Sequence, residues 1–286
     1  MPTVQRDGVQ LYYEYDDGAT DAPPVVFVQG LGVGRWSWHW QHRAFEAYDL
    51  IFPDNRGTGD SEAGLPPLVG RLPQSLRVLL FTKLLGYSTE GLAADLDAVL
   101  ADAGVEQVHV VGASLGGMIA QQYALDHDRA ISLSLLCTTH GGEEAIPIPD
   151  ETLEQMFDVP EGADERETIR HRMDPAINDE FAERNPEVIE QIIDWRIEQD
   201  AGEVARESQG AAGVNFDASD RVHEIDLPTL ILHGTHDRVL PVKNGELLAE
   251  KIPDSRFERI DGGSHLFMIE DSEEVNGHLR ELFESV

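Results

Sequence analysis

The sequence predicts an α/β fold: a mostly parallel sheet covered by helices on both faces, with a helical insertion above it. Three observations predict this. Short unbroken runs of apolar, often β-branched residues, such as Val25-Val26-Phe27-Val28, read as strands buried on both faces. Stretches with apolar residues at helical spacing alternate with these runs, which implies parallel strands joined by helical crossovers. One long segment, 140 to about 220, is polar, acidic and helical in pattern, without a buried-strand run.

Taken in order, Val4-Gln5, the turn Asp7-Gly8 and Val9 to Tyr15 read as a hairpin. Val25 to Val28 and Leu50 to Phe52 are short buried strands. Thr89 to Ala101 carries Leu92, Leu96, Val99 and Leu100 on one helical face, with Ser88 or Thr89 as cap. Val108 to Val111 is a strand and Leu115 to Ala124 the helix after it. Ile131 to Leu136, Thr229 to Leu232 and Phe257 to Ile260 are further strands, and the helix Ser272 to Phe283 closes the chain. Ligands of such sheets bind beyond the carboxyl ends of the strands.

Charge narrows the setting. The chain has 54 acidic and 21 basic residues, a formal net charge of -33, with the acids spread along its length. Aromatic residues and apolar periodicity exclude a disordered acidic protein. An acidic shell that repels itself at low ionic strength points to a halophilic protein with salt-dependent stability. The same charge excludes nucleic acid as a partner, since phosphate binding needs a basic face. Cys137 is the one cysteine, so no intrachain disulfide can form. Met1 to Tyr15 lacks the pattern of a signal peptide, and no apolar run reaches a membrane span, so a cytoplasmic location is expected.

The chemistry gathers at strand ends. Val108 to Val111 runs into Gly112-Ala113-Ser114-Leu115-Gly116-Gly117, a G-x-S-x-G pattern between a strand and a helix. Small residues are needed because the serine sits on a sharp turn, where bulk at 112 or 116 would clash. The turn aims the hydroxyl at a helix N-terminus, which favours negative charge. A serine needs a base. Of the 11 histidines, His265 lies in the loop Asp261-Gly262-Gly263-Ser264-His265 after the last strand, while His109, His233 and His236 read as packing or loop residues. The base needs an acid to orient it. Asp237 follows the strand ending at Leu232, and the segment after Leu136 has no carboxylate until Glu143. Two backbone N–H groups, those of Leu115 and Leu31, are the expected oxyanion donors.

These motifs resemble the α/β-hydrolase superfamily, and its esterase-like, enol-lactonase-like and methylesterase-like members in particular. The resemblance rests on Gln29-Gly30-Leu31-Gly32, Asp54 to Ser61, Gly112 to Gly117, His233 to Asp237 with Pro241, and Gly262 to His265, in that order. It implies an eight-stranded sheet and a helical cap. It implies a polar clamp, not a catalytic part, at Asp54 to Ser61. The family usually has His where this chain has Gln29, and Gln29 is expected to keep the loop in place. Ser at 114 rather than Asp argues against relatives that attack with a carboxylate.

The expected organisation is a core from residues 1–139, a cap from 140–220 and the rest of the core from 221–286. Pocket candidates are Gly30, Trp36, Trp38, Trp195, Leu240 and Leu266, and the cap residues expected to face down are Met156, Phe157, Met173 and Trp195. The tryptophans at 36, 38 and 40 cannot all point one way on a helix. Residues 63–87 form an acid-free insertion with Arg71, Arg77 and Lys83 among many apolar residues. It is expected to be buried against the cap, against a partner subunit in a homodimer, or at the mouth of the site as a second lid over an apolar acyl pocket. A membrane is not the expected partner.

The expected function is a carboxylic ester hydrolase for small or medium apolar esters, using Ser114, His265 and Asp237 without metal or organic cofactor. Enol-lactone or C–C bond hydrolysis and cofactor-free haloperoxidase chemistry share these residues. A receptor that kept the fold and lost turnover is the alternative of another class.

Overall fold

The computed structural model describes all residues except 1, 67, 68, 74–76, 78, 79 and 82–86. The described residues form one eight-stranded sheet in the order β1-β2-β4-β3-β5-β6-β7-β8. Its strands are β1 (Thr3–Arg6), β2 (Val9–Asp16), β3 (Val25–Val28), β4 (Leu50–Pro53), β5 (Val108–Ala113), β6 (Ala130–Leu136), β7 (Thr229–Gly234) and β8 (Ser255–Ile260). The first hairpin is antiparallel and joins β4 antiparallel; every pair from β4 through β8 is parallel.

Strand alternation divides the core. Val25, Phe27, Leu230 and Leu232 face one side, with Val275, Leu279 and Phe283 of α11 (Ser272–Phe283). Val26, Val28 and Ile231 face the other, with Leu92 and Leu96 of α2 (Thr89–Asp102) and Ile119 of α3 (Leu115–Asp126). The period of two along each strand thus feeds two separate cores. Ser88 caps α2 by accepting a hydrogen bond from the Gly91 N–H at 3.2 Å. β8 begins at Ser255, two residues before the apolar run suggests. It is an edge strand, so its polar start is solvated and leaves no hydrophobic signal.

Between β6 and β7 the chain forms α4 (Asp150–Phe157), α5 (Glu165–Met173), α6 (Asp179–Arg184), α7 (Pro186–Gln199) and α8 (Glu203–Val214). Gly141 pairs with Asp217 across the base of this excursion. The excursion docks on the core through aromatic rings. Trp195 of α7 stacks on Trp36 at 6.3 Å and meets Trp40 edge-on at 6.1 Å. Trp36 and Trp40 are four residues apart and share a face; Trp38 points the other way, into the core, 5.1 Å from Phe27.

Of the acid-free insertion, Val69, Phe81 and Tyr87 are buried together, with Leu65, Leu80 and Val204 of α8 packed on them. Arg77 pairs with Glu207 of α8 at 2.9 Å. These described residues rest on the helical excursion, one of the three coverings expected. Leu68, Leu76, Val78, Leu79, Lys83, Leu84 and Leu85 lie outside the described residues.

Candidate active site

Ser114 stands between β5 and α3 with φ 55° and ψ −119°. A non-glycine residue at such angles carries strain of about 1–3 kcal/mol and persists only where its surroundings enforce it. Here they do. The Ser114 N–H donates to the Leu136 carbonyl at 2.9 Å, and the Thr138 hydroxyl donates to the Ser114 carbonyl at 2.8 Å. The turn closes only over glycine: a Cβ at Gly112 would stand 2.3 Å from the Gly116 carbonyl oxygen, and one at Gly116 2.1 Å from that of Val28. Ser114 is half-buried. Among the described residues no acceptor is bonded to the N–H of Leu31 or Leu115.

His265 and Asp237 meet at the ends of the last two strands. His265 Nδ1 lies 2.8 Å from Asp237 Oδ2. The other carboxylate oxygen accepts the N–H groups of Val239 at 2.8 Å and Leu240 at 2.9 Å. Burial alone would raise the Asp237 carboxyl, but His265 and His233 outweigh it and hold the group below the ordinary carboxylate range. An ionised carboxylate only accepts, so across the 2.8 Å contact the N–H of His265 Nδ1 is the donor. Cys137 bridges the two parts of the site. Its backbone takes φ 42°, its N–H donates to the Leu232 carbonyl at 3.0 Å, and burial, Asp237 nearby adding to it, pushes its thiol far up.

A family model described as the alpha/beta hydrolase fold matches residues 23–272. The chain belongs to the α/β-hydrolase family. The hydrolase is 29% identical, over 93% of its length and 92% of the relative's, to a protein of Azorhizobium caulinodans whose name, carbamate hydrolase RutD, is provisional. It is 30% identical to a poly(3-hydroxyalkanoate) depolymerase of Ectopseudomonas oleovorans, over 96% of this chain and 88% of that one. A thermophilic esterase from Thermogutta terrifontis superposes with a TM-score of 0.75 at 26% identity, covering 99% of this chain and 98% of that one.

The other expected site residues of the hydrolase do not gather in one place. Gly30 lies beside the serine: a Cβ there would stand 3.4 Å from that of Ser114. Leu31 is half-buried beneath α8. Leu240 and Leu266 act through their backbones. The Leu240 carbonyl lies 2.7 Å from His233 Nε2, and the Leu266 N–H donates to the Ala176 carbonyl at 2.9 Å, tying the histidine loop to the segment before α6. Trp38 is a core residue, fixed by Phe27 because its two-residue offset turns it away from Trp36. Trp36 and Trp195 hold helix to core, and the Trp36 indole N–H donates to Asp200 at 2.9 Å. Of the residues expected to face down, Met173 is buried in the core and Met156 is half-buried, while Phe157 is 45% exposed on α4, a helix without a buried residue.

Two contributions were not read from the sequence. His233 is fully buried with Nε2 3.3 Å from Asp237 Oδ2, so it is not a bystander in packing. Its position four residues before Asp237 was the available signal. Gln209 on α8 bonds the loop that carries Leu31. Its Oε1 accepts the Gly32 N–H at 2.7 Å, and its Nε2 donates to the Arg56 carbonyl at 2.8 Å and the Thr58 hydroxyl at 2.9 Å. Gln29, the residue expected to brace that loop, has both side-chain polar atoms buried without a partner. Asp54 is the centre of the polar clamp. It is paired with Arg35, and burial pushes its carboxyl up to about 6. His109 and His236 hold the packing and loop roles expected of them. His109 is fully buried, 2.8 Å from the Ser132 hydroxyl, and His236 is exposed. Among the described residues no group of His, Cys, Asp or Glu is arranged to hold a metal ion, and no helix is long and apolar enough to cross a membrane.

Proposed function

We propose that this hydrolase cleaves carboxylic esters through an acyl-enzyme on Ser114. The observation that carries the proposal is the strained, half-buried Ser114 at the end of β5, in the same sheet whose last two strands end in the 2.8 Å His265–Asp237 pair. His265 Nε2 takes the hydroxyl proton as Ser114 Oγ attacks the carbonyl carbon. The N–H groups of Leu31 and Leu115 receive the oxyanion, and loss of one such donor costs about 10²–10³ in rate. His265 then protonates the leaving alcohol, and a water molecule, deprotonated by the same nitrogen, releases the acid. Asp237 stays ionised throughout and stabilises the imidazolium.

The ester reading is supported by the relatives whose names state a polyester depolymerase and an esterase. A carbamate is the second reading, favoured by the 29% identity to the protein named for that activity. Both carbonyls would follow the same path to Ser114. The test is turnover of p-nitrophenyl esters of increasing chain length, beside an alkyl carbamate, in high salt. Ester turnover that Ser114→Ala abolishes supports the proposal. Turnover that survives Ser114→Ala, or is confined to the carbamate, overturns it.

A further inference from the structure

We propose that Arg206 on α8 is a subsite for an anionic group of the substrate, a carboxylate, held about one helical turn from the reacting carbonyl. The proposal rests on the ester-hydrolase reading of the same site.

Helix α8 lies over the oxyanion loop with a defined face. Residues 206, 209, 210 and 213 recur at the spacing of one helical stripe. A Cβ at Gly213 would stand 3.5 Å from Leu115 Cδ1, and one at Gly210 3.5 Å from Leu31 Cδ1. Gln209 takes the Gly32 N–H, and a Cβ at Gly32 would stand 3.1 Å from Arg206 Nε. The stripe therefore runs from above Leu115, past Leu31, to Arg206. At about 1.5 Å of rise per residue, Arg206 lies about 6 Å along the axis from Gly210. At the two glycines α8 comes close to Leu31 and Leu115, the residues whose N–H groups are the expected oxyanion donors.

Arg206 lacks the carboxylate hydrogen bond that most of the partly buried arginines make. Carboxylates are abundant in this chain, and Arg56, Arg77 and Arg129 each hydrogen-bond one. Among the described residues the Arg206 side chain makes no hydrogen bond, and its nearest carboxylate oxygen, Asp200 Oδ2, is 3.9 Å away. Asp200 is already committed. Its Oδ1 accepts the Trp36 indole N–H and the Gly34 N–H, and its Oδ2 accepts Arg196 Nε at 2.8 Å. Burial pushes the Arg206 guanidinium down from its ordinary range, and Arg196 and Arg172 add to this. Arg172 itself spends its donors on the neutral carbonyls of Phe157 and Asp158. Two guanidinium groups, those of Arg196 and Arg206, thus share the one carboxylate of Asp200, in a chain whose net charge is -33. The Arg206 stem covers Gly32, but packing alone does not call for a charged head there. A planar guanidinium with free donors suits a carboxylate, which it binds through two parallel hydrogen bonds. The substrate that fits is the half-ester of a short dicarboxylic acid.

The test compares mono-p-nitrophenyl esters of succinic, glutaric and adipic acid with p-nitrophenyl butyrate, valerate and hexanoate, and 4-carboxyphenyl acetate with phenyl acetate for the leaving-group side. One salt concentration is used throughout, with melting curves for every variant. The wild type should favour the carboxylate-bearing member of at least one pair by about tenfold or more in kcat/KM, the scale of a charged hydrogen bond. Arg206→Gln should erase that preference while keeping the neutral ester within about threefold, and Arg206→Lys should restore part of it. Equal losses on both members of every pair, or no preference in the wild type, overturn the subsite. Failure of the wild type on all esters counts against the ester reading instead. Glutarate binding then decides separately: it should bind the Ser114→Ala protein by calorimetry and weaken about tenfold when Arg206→Gln is added. Unchanged or absent glutarate binding overturns the subsite whatever the turnover result.

Discussion

Gly116→Ala puts the architecture of the serine turn to a quantitative test. The new Cβ would stand 2.1 Å from the Val28 carbonyl oxygen and 2.7 Å from that of Gln29, where ordinary contact begins at 3.4 Å. More than 1 Å must open between the first turn of α3 and the end of β3. Neither side yields cheaply, because both obstructing atoms are backbone and β3 lies between β4 and β5 in the middle of the sheet. Overpacking of this kind costs about 1–3 kcal/mol, and backbone obstruction puts this case at the upper end. The displacement also passes to the catalytic geometry, since Val28 leads directly into the loop bearing Leu31. A misplacement of about 1 Å can cost about 10²-fold in rate. The assay is kcat/KM on the best p-nitrophenyl ester together with a denaturation midpoint. Gly210→Ala is the control: its Cβ makes an ordinary 3.5 Å contact with Leu31 and gains up to about 1 kcal/mol of helix propensity. Gly116→Ala should lose about 100-fold in kcat/KM and about 2 kcal/mol of stability, with Gly210→Ala as stable as wild type or more so. A Gly116→Ala protein with wild-type rate and stability would mean that the turn does not require glycine at 116.

Three further outcomes are expected. Gln209→Leu leaves the Gly32 N–H without its acceptor and removes the bond to the Arg56 carbonyl, and chemical denaturation should show a loss of about 1–3 kcal/mol, with kcat/KM falling as the Leu31 loop loosens. Burial lowers the His109 pKa from 6.5 to about 4, so its contribution to stability is complete above the unfolded value and is lost as pH falls between the two. Denaturation at about pH 7.5 and pH 5 should show about 2 kcal/mol less loss in His109→Phe than in wild type, and an equal loss in both would contradict this. The net charge of -33 makes the melting temperature rise with salt as the Debye length shrinks from about 10 Å at 0.1 M to about 3 Å at 1 M. A flat melting temperature across that range counts against the acidic-shell reading.

Strand positions and the serine turn were legible because each leaves a local signature. Val25 to Val28 reads as a strand through its unbroken apolar run, and the glycines at 112 and 116 are required by the contacts that their own neighbours make. His265 and Asp237 were legible from their positions after strands. The parts that stayed hidden depend on contacts between distant segments. Gln209 is an ordinary polar residue in a polar helix, and only the packing of α8 on the Gly32 loop gives it a role. Trp36 and Trp38 look alike in sequence, yet one meets Trp195 and the other Phe27. His233 could have been suspected from its spacing to Asp237, but burial decides that its Nε2 turns inward. Phe157 illustrates the reverse: an aromatic residue in a helix suggests burial, and α4 buries none of its residues.

That Ser114 is the nucleophile can be tested by intact-protein and peptide mass spectrometry after reaction with a fluorophosphonate. One covalent adduct per chain should form, located on Ser114, with loss of ester turnover in proportion to labelling. Ser114→Ala should take up no label, and His265→Ala should label far more slowly. Active protein that takes up no label, or labels at another residue while turnover stops, would contradict it.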